Sequence, residues 1–276
     1  MTTPIFPELT EAVIAAMADA PDPRLRQIMT SLIRHVHAVV RETRLTEAEW
    51  GQAIAFLTAA GQISNDRRQE FILLSDTLGV SMLVDAINHD DGPEVTPSTV
   101  FGPFYSGLQP GLAMGASILM RPEAGTPTLV SGIIAGHDGM PIAGALIEVW
   151  QTAPNQLYDV QDPDQPEGHL RGTFRTGVDG AYSFQTVLPV SYPIPDDGPV
   201  GKMLGALGRH PNRPAHIHFM ISAPGHRRLV THIFIAGDAY LEGDAVFGVK
   251  PGLIVAPEKT AEGAVIHYDF RLAQGA

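Results

Sequence analysis

The chain has 276 residues, 44% hydrophobic and 17% charged, which fits one large globular domain or a core with an appendage and excludes a disordered chain. Its formal net charge of −12, with no cluster of Lys or Arg, argues against nucleic acid and anionic lipid surfaces as partners. Cysteine is absent, so disulfides, thiolate nucleophiles, Cys-ligated zinc and iron–sulfur clusters are excluded together. The stretch Met1–Val13 has neither a basic n-region nor a long apolar h-region, and no apolar run reaches the ~18 residues of a membrane span. The expectation is a cytoplasmic protein with no membrane insertion.

Residues 1–95 are expected to form an all-helical domain. Asp22-Pro23 reads as an N-cap with proline at the first helical position. It is followed by an amphipathic stripe of Leu25, Ile28, Met29, Leu32, Ile33, Val36, Val39 and Val40. Thr46-Glu47-Ala48-Glu49 is a capping box that opens a second helix. A third helical segment is expected from about Asp66 to Asn88, carrying Phe71, Leu74, Leu78 and Met82. Helices with so much apolar stripe need a covering surface.

The period changes beyond residue 95. A Pro- and Gly-rich stretch leads into short β-type runs over 129–135, 145–152, 181–187, 216–222, 229–236 and 265–272, separated by turn signals. Residues 96–276 are therefore expected to form an antiparallel β-sandwich, with long loops around 155–175 and 190–214 as natural carriers of binding groups. The fold class is mainly β with an N-terminal helical domain.

On a strand, His216 and His218 project from one face, where two imidazoles can share a metal. The alternative is a pair of half-buried histidines with backbone partners. His35 and His37 share that spacing but fall in a helix, where residues two apart do not face each other. No carboxylate near His216 and His218 has ligand-like spacing; Glu148 and Asp244 are the weakest of candidates. Tyr158 and Tyr192 sit in the two long loops, and either alone is as readily a packing residue.

The strings Gly102-Pro103-Phe104-Tyr105, Ile147-Glu148-Val149-Trp150-Gln151, Tyr192-Pro193-Ile194-Pro195, Asn212 through His218 and Gly225-His226-Arg227-Arg228, in that order, resemble the intradiol ring-cleavage dioxygenases, the family of catechol 1,2-dioxygenases. The resemblance covers about residues 65 to 270. It implies one Fe(III) per subunit on Tyr158, Tyr192, His216 and His218. Phenolate is a hard donor that suits a hard ferric ion, whereas zinc, the runner-up metal, rarely takes paired tyrosines. The resemblance further implies that an aromatic diol chelates the iron and displaces Tyr192. O2 then attacks the ring, which opens between its two hydroxylated carbons. Arg213 matches the family arginine beside the substrate, suited to stabilising charge on the ring; an ordinary salt bridge is its bland alternative.

Finer matches are Leu73-Leu74-Ser75-Asp76, Val100 through Tyr105 and Asp244 through Lys250. They are most similar to the hydroxyquinol 1,2-dioxygenase branch, whose substrate is benzene-1,2,4-triol. Asp76, one turn from Leu73, would accept a hydrogen bond from the third hydroxyl and disfavour plain catechol; a solvent-facing Asp is its alternative. The expected substrate pocket comprises Leu73, Asp76, Val100, Phe101, Gly102, Pro103, Phe104, Ile194, Pro195, Arg213, His232 and Val246. His232 stands where catechol-cleaving members commonly carry Gln. The resemblance also implies a homodimer through the N-terminal helices, with a bound phospholipid at that interface. The competing readings are a catechol or chlorocatechol 1,2-dioxygenase and, from another class, a metal-free β-sandwich binding module.

Overall fold

A computed structural model describes residues 6–66 and 68–275; the first five residues of the N-terminal stretch read above lie outside them. The chain divides into two compact units, Met1–Ala59 and Ala60–Ala276. This division falls earlier in the chain than the expected boundary at 95/96 and groups the helices over 70–88 with the sheets.

The first unit holds α1 (Pro7–Ala15), α2 (Pro23–Thr43) and most of α3 (Glu47–Ile63). The local signals act as expected. Asp22 Oδ1 accepts from the amides of Arg24 and Leu25, and Thr46 and Glu49 make the reciprocal capping box. Thr10 of α1 is held by His37 at 3.0 Å and Arg41 at 2.8 Å of α2, while His35 bonds the Ser31 carbonyl. Neither histidine faces the other's partner. No residue of α2 is buried, and Leu25, Ile28, Leu32, Val36 and Val39 are each about half exposed. No helix of the described residues is long and apolar enough to cross a membrane.

In the second unit, α4 (Glu70–Thr77) and α5 (Val80–Asn88) replace the single expected helix. The break is at Gly79, whose φ of 72° is left-handed and ends the first helix in the manner of a C-terminal glycine. The strands are β1 (Pro127–Gly136), β2 (Leu146–Trp150), β3 (Arg171–Arg175), β4 (Ala181–Val187), β5 (Tyr192–Pro193), β6 (Asn212–Arg213), β7 (His216–Ser222), β8 (Leu229–Ile235), β9 (Ile254–Val255), β10 (Glu258–Thr260), β11 (Gly263–His267) and β12 (Phe270–Leu272), with α6 (Pro199–Ala206) between β5 and β6.

One sheet runs β10-β11-β1-β12 with β4 on the other side of β1; the second runs β3-β2-β7-β8-β9. The sheets are mixed, not purely antiparallel, because β1 pairs in parallel with β11 and β12 and β8 pairs in parallel with β9. The expected final strand is interrupted at Tyr268-Asp269. There the Asp269 side chain accepts from the Ile133 amide and the Tyr268 amide bonds Ser131, so β1 changes partner. β3 lay unseen in an expected loop: its Arg-Gly-Thr-Phe-Arg sequence does not alternate, because Arg171 is buried in an ion pair and Gly172 leaves room for Ile118.

The sheets enclose a dry core. Val130, Ile134, Phe184, Ile266 and Phe270 come from one, and Ile147, Phe174, Ile217, Phe219, Ile221 and Ile233 from the other. Phe219 lies at the centre, its ring in contact with those of Tyr182, Phe184 and Phe270. Burying such a ring contributes about 2–3 kcal/mol. Alternation along β7 then fixes the other face: with Ile217, Phe219 and Ile221 in the core, His216, His218 and Met220 point away from it.

Candidate metal centre

Two strands and two loops converge on that outer face. His216 Nδ1 lies 2.6 Å from the Pro214 carbonyl, which can only accept, so Nδ1 carries the proton and Nε2 presents a lone pair. His216 Nε2 stands 3.2 Å from His218 Nε2. Tyr158 Oη lies 3.0 Å from His218 Nε2 and 3.2 Å from Tyr192 Oη. All four residues are at most 3% exposed.

These distances test whether a metal fits. Bonds of about 2.0–2.2 Å at angles of 90–110° put neighbouring N or O donors about 2.8–3.6 Å apart. The observed 3.0–3.2 Å separations lie in that range. The donor set fits a metal ion.

The tyrosines are held by loop chemistry. Tyr158 follows Gln156, whose φ is 70°, and its amide bonds Gln161. Asn155 and Gln165 both donate to Asp162. Next to Tyr158, Asp159 accepts from Arg171 at 2.6 and 2.8 Å in a buried pair and from the Gly168 amide. The Arg171 guanidinium lies 5.9 Å from the centre of the Tyr158 ring. Tyr192 stands opposite Arg213 in the β5–β6 ladder. The segment after it is tied by Arg68–Asp197 to the chain just before α4 and by buried Glu70 of α4, which accepts from the Val200 amide.

Burial, reinforced by the neighbouring Tyr192 phenol, pushes the Tyr158 hydroxyl well above the usual tyrosine range. Burial and the Arg213 charge lower His216 to about 3. Burial lowers His218 as well, helped by His216, and lowers His232, helped by His218 and His216. The imidazoles are therefore neutral, as metal ligands must be, and a Tyr158 phenolate needs a nearby cation.

Of the expected pocket residues, Gly102 presses on the site: a Cβ there would lie 3.2 Å from His218 Cε1, on a backbone of φ 75°. Phe104 stacks on the Tyr158 ring at 4.5 Å, and Phe101 meets Trp150 edge-on. Val100 is buried beside them in sequence, whereas Pro103 is exposed. His232 faces His218 directly in the β7–β8 register. One nitrogen from each of His216, His218 and His232 lies within 4.8 Å of the others, so His232 belongs to the histidine cluster. Leu73 and Asp76 are both buried on α4, which removes the solvent-facing reading of Asp76. Burial raises the Asp76 carboxyl, opposed by a Ser81 hydrogen bond and the Arg213 charge. Ile194 is buried, Pro195 half-buried and Val246 buried.

Arg213 carries a salt bridge and also faces the site. Its Nε and Nη2 bond Asp244 at 3.1 and 3.3 Å, while Nη1 lies 3.2 Å from His216 Nε2 and Nη2 lies 3.4 Å from His232 Nδ1. Burial opposes its charge, but Asp244 outweighs that and raises the guanidinium further. Sequence reasoning passed over three supporting groups. Asp159 adjoins Tyr158 in sequence. Asp244 appeared only as a remote ligand candidate. Trp150, within a quoted motif, stacks on His218 at 4.6 Å and 14° and pairs with it in the β2–β7 register. Glu148, the other remote candidate, accepts from Tyr105.

A β-sandwich presenting two phenols and two imidazoles to one point, behind a buried arginine, is the arrangement of an intradiol dioxygenase, and this chain belongs to that family. The family model for dioxygenase matches residues 100–274, and that for the catechol dioxygenase N terminus matches residues 22–95. Two relatives are a 6-chlorohydroxyquinol 1,2-dioxygenase of Cupriavidus pinatubonensis, 51% identical over 96% of both chains, and a hydroxyquinol 1,2-dioxygenase of a Rhizobium species, 54% identical over 88% of this chain and 83% of that one. A solved hydroxyquinol 1,2-dioxygenase from Pseudomonas putida DLL-E4 superposes with a TM-score of 0.91 at 48% identity, covering 97% of this chain and 98% of that one.

Proposed function

We propose that the chain cleaves hydroxyquinol with O2, between its two adjacent hydroxylated carbons, to 3-hydroxy-cis,cis-muconate and its tautomer maleylacetate. One Fe(III) per subunit would be held by Tyr158, Tyr192, His216 and His218. The chain of contacts of 3.0–3.2 Å that links Tyr192 to Tyr158, Tyr158 to His218 and His218 to His216 carries the reading, and the relatives' names supply the substrate. When bound, Fe(III) supplies a Lewis acid that chelates the diol and draws electron density from its ring.

The chain's own groups have separate tasks. Tyr158 and the histidines sit rigidly against β7 and the braced 155–168 loop. Tyr192 would be the exchangeable ligand: a diol that binds as a dianion must lose two protons, and a tyrosinate released from the metal would be a base able to take one at Oη. Arg213, opposite it, offsets the negative charge. Were His216 to hold the metal, Arg213 Nη1 would lose that acceptor, and its N–H would be free for charge on the substrate. Asp76 offers an acceptor to a third hydroxyl. Gly102, Phe104, Val100, Leu73, Ile194, Pro195 and Val246 would supply the apolar walls.

The protein is further proposed to be a cytoplasmic homodimer, joined through the exposed apolar stripe of α2, with a phospholipid at that interface. The test of the activity is oxygen uptake by iron-loaded protein with hydroxyquinol and catechol side by side, corrected for autoxidation with Tyr192→Phe. Strong preference for hydroxyquinol supports the reading. Preference for catechol contradicts the substrate and leaves the iron site standing.

A further inference from the structure

We propose that Asp244 is the positioning residue for Arg213, fixing in one contact both the guanidinium and the loop over 244–248 that bears Val246. The inference rests on the substrate-facing role of Arg213 proposed above.

The geometry is that of a saturated carboxylate. An ionised aspartate has about four acceptor positions, and four donors occupy them. Oδ1 accepts from Arg213 Nε at 3.1 Å and the Val246 amide at 3.3 Å, and Oδ2 accepts from Arg213 Nη2 at 3.3 Å and the Gly248 amide at 2.9 Å. Both side chains of the pair are nearly inaccessible, at 2% and 3%. Asp244 grips the guanidinium by its Nε–Nη2 edge, a side-on geometry that fixes the plane as well as the position. That leaves Nη1 as the free corner, and it points at His216.

The loop is shaped around the same carboxylate. Between the two amides that bond Asp244 stands Phe247 with φ 58°. A left-handed aromatic residue costs free energy, and such strain persists only where the surroundings impose it. Asp244 imposes it from both sides. Gly248 has no need of unusual φ; it is required for close approach. A Cβ at 248 would stand 3.0 Å from Arg213 Nη2, 3.0 Å from Thr99 Oγ1 and 3.1 Å from Asp244 Oδ2. The loop backbone lies directly on the guanidinium, so the arginine cannot shift without moving the segment that carries Val246.

Asp76 is the second acid that senses this arginine. With Asp244 saturating one edge of Arg213, Asp76 is left without the guanidinium as a direct partner and remains an acceptor for a ligand hydroxyl. A buried ion pair is weak evidence for stability on its own; here its value lies in orientation.

The test is a double-mutant cycle on the iron-loaded enzyme with hydroxyquinol, together with unfolding midpoints of the metal-free chain. Asp244→Asn should lower kcat about 100-fold, as loss of one oriented donor does, with a smaller change in KM. Combined with Arg213→Gln it should add no further loss, because both changes remove the same interaction. Gly248→Ala keeps every charge and crowds Nη2. It should lower kcat about 10-fold with an unfolding midpoint close to the parent's, and a crystal structure should show the guanidinium displaced. If Asp244→Asn does not fold, Gly248→Ala carries the test alone. Multiplicative losses in the cycle, or full kcat in Gly248→Ala, would overturn the proposal while Arg213→Gln still turns over at a measurable, reduced kcat. Full kcat in Arg213→Gln would instead overturn the role of Arg213 on which it rests.

Discussion

The two halves of the proposed metal centre are built in different ways. His216 and His218 stand on β7, the strand whose other face forms the centre of the core, and their direction follows from strand alternation. Tyr158 stands in a loop and Tyr192 in the two-residue strand β5, too short for periodicity to aim a side chain; the first is held by the buried Arg171–Asp159 pair and by Gln161, the segment after the second by Glu70 and Arg68. The strand half inherits its precision from packing. The loop half must be fastened separately, and its fastenings are polar. Damage to the core should therefore reach the histidines through stability, whereas damage to a single ion pair should reach the tyrosines with the fold intact.

The largest effect is expected at the ligands themselves. Tyr158→Phe deletes one oxygen from a donor set, and a ligand should matter more than the supporting residues, whose loss costs about 10–100-fold in metal affinity. Iron titration should give an affinity more than about 100-fold weaker with little change in circular dichroism. An unchanged affinity would remove Tyr158 from the site.

The next largest effect tests the loop fastening. Arg171→Lys keeps a positive charge beside Asp159 but loses the fork that bonds it twice, loosening the Tyr158 loop without leaving a buried charge unpaired. Iron release should accelerate about 10–100-fold. On the strand side, Ile217→Ala leaves a cavity in the core directly behind His216 and His218, costing about 3 kcal/mol. If the two regions differ as described, Ile217→Ala lowers the unfolding midpoint more per unit of lost iron affinity than Arg171→Lys does. Equal ratios would break the comparison.

The legibility of the sequence divides along the same line. The His216–His218 pair, the strand beneath it, the capping box at Thr46 and the cap at Asp22 could all be read because each depends on local spacing. Tyr158 and Tyr192 are proposed as ligands only through resemblance, since neither a loop nor a two-residue strand carries a directional signal. The partner of Arg213 is 31 residues away in the chain and that of Asp159 is 12 away, so neither pair leaves a periodic trace. The break at Gly79 was missed because the apolar spacing continues across it, and β3 because a buried arginine and a close-packed glycine occupy positions where alternation would show. Parallel pairing of β1 with β11 and β12 is a matter of topology that strand composition does not encode.

Smaller effects belong to Asp76 and Thr46. Burial raises the Asp76 carboxyl, so the folded chain binds this proton more tightly than the unfolded one. Its contribution to stability is present below the unfolded pKa of about 3.9 and is lost as pH rises through the folded value. Asp76→Asn should therefore gain in unfolding midpoint relative to the parent as pH rises above about 4, and its preference for hydroxyquinol over catechol should fall about 10-fold. A midpoint difference independent of pH would contradict the burial argument. Thr46→Ala removes the capping box of α3 and should cost about 1 kcal/mol without altering kcat, because that cap lies in the other compact unit.

The most direct measurement of the central claim is the visible spectrum and metal content of the purified protein, read beside Tyr158→Phe and Tyr192→Phe. The account predicts one iron per chain and a tyrosinate-to-iron(III) charge-transfer band that gives a red protein. That band should change in both variants and shift when hydroxyquinol is added without oxygen. A colourless protein that binds iron, or a band untouched by either substitution, would contradict it.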